Sequence, residues 1–119
     1  MIIMDIKFEQ VNICEKYGAE FVEAPYFLLV GITKNVETRD LYPINGLRHP
    51  PEGETTGWYI WAGEEFSEDP DWFRPMHVAH LSDLKPEVLK YLALPPGYRF
   101  LIGENGYEDV WFDGKLLGI

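Results

Sequence analysis

The chain has 119 residues, of which 46% are hydrophobic and 15% aromatic, enough apolar surface to close one core and far too much for a disordered chain. Twenty acidic residues face ten lysines and arginines, a formal net charge of −10, so charge works against binding to nucleic acid or to an anionic membrane. The longest apolar run, residues 26–32, falls well short of the roughly 20 residues of a membrane span. The amino terminus lacks a secretory pattern and the single cysteine, Cys14, has no partner for an internal disulfide, which together predict a cytoplasmic protein.

In chain order, "MIIMDIKF" alternates as a strand would. "FEQVNICEKYG" places Phe8, Val11, Cys14 and Tyr17 at steps of three and stops at Gly18, which predicts an amphipathic helix from about residue 7. Cys14 reads as a small buried apolar residue. The bulky and branched run from Tyr26 to Thr33 follows Pro25 and predicts a buried strand. Residues 35–57, with Pro43, Asn45-Gly46, Pro50-Pro51 and Gly53, read as a long loop of the kind that often carries function.

"WYIWAG" predicts the next strand, with Trp58 and Ile60 on one face and Tyr59 and Trp61 on the other. In "SEDPDWF", Asp69 is placed to cap and Pro70 to open a short helical turn around Asp71 to Phe73. Pro86 opens a helix with Leu84, Val88, Leu89 and Leu92 on one side, closed by Pro95 and Pro96. The pair Pro96-Gly97 suits a type II turn. "YRFLIGENGYEDVWFDG" reads as a hairpin about Asn105-Gly106, with Leu101 facing Val110 and Phe100 facing Trp111. Asp113-Gly114 makes a further turn. The sum is an α+β fold over residues 1–119, a single domain with an antiparallel sheet of four or more strands and two or three helices packed on it.

Catalytic patterns are scarce. His77 and His80 stand three apart and share one side if helical, but a helical zinc site wants a spacing of four with a glutamate between. They are expected to pack at the core edge. Neither Ser67 nor Ser82 sits in a nucleophile elbow, "GENG" is a turn and not a phosphate loop, and no cofactor is implied. The alternative is a small-molecule or metal-binding domain, hydrolytic if enzymatic, built on His77 and His80. A third reading is a homodimeric adaptor.

The charge is uneven. Between Arg48 and Arg74 lie Glu52, Glu54, Glu64, Glu65, Glu68, Asp69 and Asp71 with no lysine or arginine among them. Such a run is most simply a solvated face, and its functional reading is a docking surface for a basic partner.

The string "GWYIWAGEEFSEDPDWFRPMHVAHL", followed by "YLALPPGYRFLIGENGYEDVWFD", resembles the bacterial immunity-protein family numbered thirty-three in the polymorphic-toxin classification. The features matched are the Gly-Trp-Tyr strand opening with its following Gly-Glu, the Pro-x-His-x-x-His-Leu segment, the Leu-x-Pro-Gly-x-Arg-Phe turn and strand, and the Asp-Val-Trp-Phe strand, over roughly residues 40 to 113. The resemblance implies a non-enzymatic protein that binds and neutralises a toxin. On that reading Glu64, Glu65, Glu68, Asp69 and Asp71 supply a field that draws in a basic toxin domain, and Trp61 and Trp72 are the aromatic anchors. Trp58 and Trp111 are expected to be buried strand tryptophans.

Overall fold

The computed structural model describes residues 5–38, 41–63 and 72–118. Six strands form one sheet in the order β4-β1-β3-β2-β5-β6: β1 (Leu29–Ile32), β2 (Ile44–Arg48), β3 (Thr55–Ala62), β4 (Arg74–His77), β5 (Tyr98–Ile102) and β6 (Glu108–Phe112). The helices are α1 (Asp5–Lys16), α2 (Lys34–Thr38) and α3 (Leu81–Leu84), with further short stretches of 3₁₀ helix. The fold is α+β, as the element pattern predicts. Its sheet is antiparallel except where β1 runs parallel to β3, a pairing that requires the chain to cross over, here through α2 and β2.

The helix stop at Gly18 forms, with the glycine at φ 66. The buried side of α1 differs from the predicted one: Ile13 and Cys14 enter the core while Phe8 is exposed. A spacing of three drifts around a 3.6-residue helix, and Ile6, Gln10, Ile13 and Tyr17 keep the better register. Gln10 Nε2 donates to Leu89 O at 2.8 Å, which ties α1 to the 3₁₀ segment Pro86–Tyr91. The helix expected to open at Pro86 is of the 3₁₀ kind; its Val88 and Leu89, with Leu92 after it, are buried as expected. The Pro96-Gly97 turn closes with Tyr98 N donating to Pro95 O.

The long loop predicted over residues 35–57 is a larger departure, because it contains α2 and the central strand β2. Asn45-Gly46 is not a turn. Gly46 lies opposite Phe100 on β5, and the Phe100 ring occupies the space that any side chain at position 46 would need. Gly46→Ala is therefore expected to lower stability by about 1–2 kcal/mol through overpacking, read as a shift of the urea midpoint. Asn45 Nδ2 is satisfied by Gly63 O at 2.9 Å.

The run Tyr26–Thr33 is a strand only from Leu29, and Tyr26 and Phe27 are exposed. The hairpin of β5 and β6 exists, but with a different register: Phe100 pairs with Val110, Leu101 with Asp109 and Arg99 with Trp111. Its loop is one residue longer than a two-residue turn, because Gly103 N bonds Tyr107 O around the turn Glu104–Gly106, with Asn105 left-handed at φ 62. A one-residue slip reverses every side chain of a strand. Trp111, predicted buried, accordingly lies on the opposite face and is 38% exposed.

The core fills the helix side of the sheet. Trp58 and Phe100 meet at 5.4 Å between ring centroids, and Tyr91 stacks on Phe100 at 4.8 Å. Trp58 is fully buried, as predicted, and its Nε1 donates to Leu92 O at 2.9 Å. Cys14 is buried too, with its thiol directed at Ala93 O and its pKa raised by burial, which leaves it a poor nucleophile.

Candidate functional site

Alternation along each strand sends half of the side chains to the sheet face that the helices do not cover. The registers align Pro75, Gly31, Tyr59, Leu47, Arg99 and Trp111 in one row across all six strands. Beside it runs a second row of Trp61, Asn45, Leu101 and Asp109. This face gathers Tyr59, Trp61, Trp72, Phe73 and Trp111.

Trp61 and Trp72, predicted as anchors, come together here with their ring centroids 6.2 Å apart. Phe73 packs against both and also against Tyr59 at 5.1 Å. Gly31 makes this possible: a side chain there would overlap the Tyr59 ring, so the absence of one lets Tyr59 and Phe73 meet over β1. Tyr59 in turn meets His49 edge to face at 5.6 Å. The two predicted anchors are not equally accessible. Trp61 is 4% exposed, as the floor of the cluster, and Trp72 and Phe73 are half-buried above it.

Glu64, Glu65, Glu68, Asp69 and Asp71, together with the predicted cap at Asp69 and Pro70, lie outside the described residues. Their attachment points are described. Ile32 of β1 pairs with Ile60 on one side and with Arg74 on the other, so β3 ends and β4 begins at the same end of the sheet. Gly63 and Trp72, the described residues on either side of this segment, thus stand at the same end of the sheet. Glu52 and Glu54, members of the same run in sequence, precede β3 and stand at its far end, separated by a strand of roughly 25 Å.

Two polar residues that carry no local sequence signal organise the other side of the sheet. Arg48 is 1% exposed and pairs with no carboxylate among the described residues. Its guanidinium donates to the carbonyls of Thr56, Val22, Leu92, Leu94 and Glu23 at 2.8 to 3.3 Å. Burial lowers its pKa to about 10, still far enough above neutrality to keep the charge. Glu108 accepts from Lys16 Nζ at 2.8 Å and from the hydroxyls of Tyr17 and Tyr91 at 2.6 Å each. Burial raises its pKa, but these three donors outweigh burial and hold the carboxyl at about 2. Burial and the charged partner push the Tyr91 hydroxyl up in turn.

His77 ends β4 and His80 ends the following 3₁₀ turn, so they do not share a helix face as their spacing would have allowed. Their rings meet edge to face at 5.9 Å. Among the described residues no group of three or more histidine, cysteine or acidic side chains is arranged to hold a metal ion. No helix among them is long and apolar enough to cross a membrane.

On the open face, Arg99 is sandwiched by its neighbours on and beyond β6. Its guanidinium lies over the Trp111 ring at 5.5 Å and donates from Nη1 to Asp113 Oδ2 at 3.1 Å. The hydrogen bond from Arg99 is the main reason that the Asp113 carboxyl sits below its ordinary pKa.

No curated protein matches the chain, and no solved structure does. The model of the Imm33-like domain matches residues 9–113, a span that takes in most of α1 and all six strands. With that match over most of its length, the chain belongs to the Imm33-like family of immunity proteins.

Proposed function

We propose that this protein binds a toxin domain and neutralises it by occupying the toxin's working surface. Family membership supplies the class of partner, a protein. What favours a particular surface is the order of the sequence, in which the acidic residues 64–71 follow the end of β3 and lead directly into the half-buried pair Trp72 and Phe73. Charge and aromatic area placed together serve the two stages of association. Glu64, Glu65, Glu68, Asp69 and Asp71 draw in a basic partner from a distance, and Trp72, seated on Trp61, presents ring surface that a close contact would desolvate. The net charge of −10 makes a basic toxin, such as one that acts on nucleic acid, the best electrostatic match.

The test is the double reversal Glu64→Lys and Glu65→Lys, assayed by stopped-flow association with a cognate toxin domain. The association rate at low salt is expected to fall by at least tenfold and to lose most of its dependence on ionic strength. A rate and salt dependence equal to those of the unaltered protein would remove the acidic segment from the interface.

A further inference from the structure

We infer that the free edge of β6 is a second docking element, one that takes up an extended, basic segment of a partner protein as a seventh strand. β6 is the last strand of the sheet. Gly103 N donates to Tyr107 O at one end of its ladder with β5, and Asp113 N donates to Gly97 O at the other. Bonded and non-bonded pairs alternate in an antiparallel ladder, so Asp109 and Trp111 bond inward. Glu108, Val110 and Phe112 then turn their N–H and C=O groups outward. Among the described residues nothing pairs with those groups.

Sheet edges are usually protected by lysine, proline or a bulge. β6, with the sequence EDVWF, has no lysine, proline or bulge, and its only charged residues are the acidic Glu108 and Asp109. It instead concentrates exposed aromatic surface: Trp111 is 38% exposed, Phe112 53% and Tyr107, in the preceding turn, 58%. Outward backbone groups beside large exposed rings are the features by which a sheet recruits a strand, the backbone giving affinity and the side chains selectivity.

Charge decides the occupant. The Glu108 carboxylate is engaged by Lys16, and that of Asp113 by Arg99. Glu104 and Asp109 are exposed and make no ion pair among the described residues, which leaves the edge with two unpaired carboxylates. A lysine or arginine placed across from Asp109 and Trp111 would meet a carboxylate and the exposed part of an indole together. A second copy of this chain is a poor fit, because it would bring another charge of −10 and a strand with no basic residue of its own.

The inference shares the basic partner of the proposed function, but its test needs no toxin. The full chain, ¹⁵N-labelled, is titrated with a synthetic peptide of alternating lysine and valine, and amide exchange is followed residue by residue. At saturation the amides of Glu108, Val110 and Phe112 are expected to exchange at least fivefold more slowly, with Asp109 and Trp111 unchanged. Asp109→Lys, an exposed change, is expected to weaken this binding about tenfold. A peptide of alternating lysine and proline, equal in charge but a poor strand, is expected to give no protection.

Three outcomes would each overturn the inference. These are no protection at the three outward amides, equal protection by an alternating glutamate and valine peptide, or protection that appears without peptide as the chain is concentrated into dimers. A chain that shows peptide protection yet binds no toxin would sink the proposed function and leave this one standing.

Discussion

Replacing Arg48 by methionine is expected to lower the unfolding free energy by about 4 kcal/mol or more, a large part of the 5–15 kcal/mol typical of a domain. The side chain is a buried connector. From one guanidinium it donates to the loop after α1, through Val22 and Glu23, to the exit of the 3₁₀ segment, through Leu92 and Leu94, and to β3, through Thr56. Methionine fills much of the same volume but offers no donor. The carbonyl of Leu92 would keep the Trp58 indole as a partner, whereas the others would lose this donor, at roughly 1–3 kcal/mol for each one left buried and unsatisfied.

Arg48→Lys separates charge from geometry. A single ammonium keeps the charge but cannot span acceptors on three segments, so this variant is expected to lose about half as much. Urea unfolding followed by tryptophan fluorescence measures both variants. A methionine variant whose midpoint matches that of the parent would show that the arginine is incidental to the fold.

Why Arg48 escapes a reading of the sequence explains much of what else does. The features legible in advance were those whose cause is local. The Gly18 stop, the alternation of Trp58-Tyr59-Ile60-Trp61, the turn at Pro96-Gly97 and the pairing of two aromatic runs as a hairpin all depend on residues within a few positions of each other, and each is present. The failures had distant causes. "INGLR" looks like a turn until Phe100, 54 positions further on, is found to need the space over Gly46. β4 goes unread in the sequence because Pro75 argues against a strand, but it is an edge strand, where a proline is tolerated.

The same division applies to the candidate site. That Tyr59 and Trp61 share one face, and that acidic residues follow them, could be read directly. That Trp61 would be the floor of the cluster and Trp72 its upper part could not, because burial on this face depends on Phe73 and on the missing side chain of Gly31. The place of Trp111 depended on a single extra residue in the hairpin loop. With the slip, the indole left the core and joined Arg99 on the open face, and β6 gained the exposed rings that make its edge a docking element.

Acidification is expected to destabilise the fold through Glu108, in a window that its hydrogen bonds define. In the unfolded chain this carboxyl has the ordinary value of 4.5, and in the folded protein Lys16, Tyr17 and Tyr91 hold it at about 2. A carboxyl depressed by folding contributes its stability in full above the unfolded value and loses it as pH falls toward the folded one. The contribution is therefore complete above about pH 4.5 and gone near pH 2. Its size is about 2–3 kcal/mol, after allowing for solvent at the Lys16 end of the network.

Glu108→Gln removes the titration while keeping the shape of the side chain and one acceptor oxygen. Its stability near neutral pH should fall by about that amount, and the difference from the parent should shrink steadily as both are acidified from pH 4.5 to pH 2. The checking measurement is urea unfolding of both proteins across that range. A constant gap at every pH would mean that the amide acts through altered packing, and that the charge on Glu108 does not join α1, the 3₁₀ segment and β6.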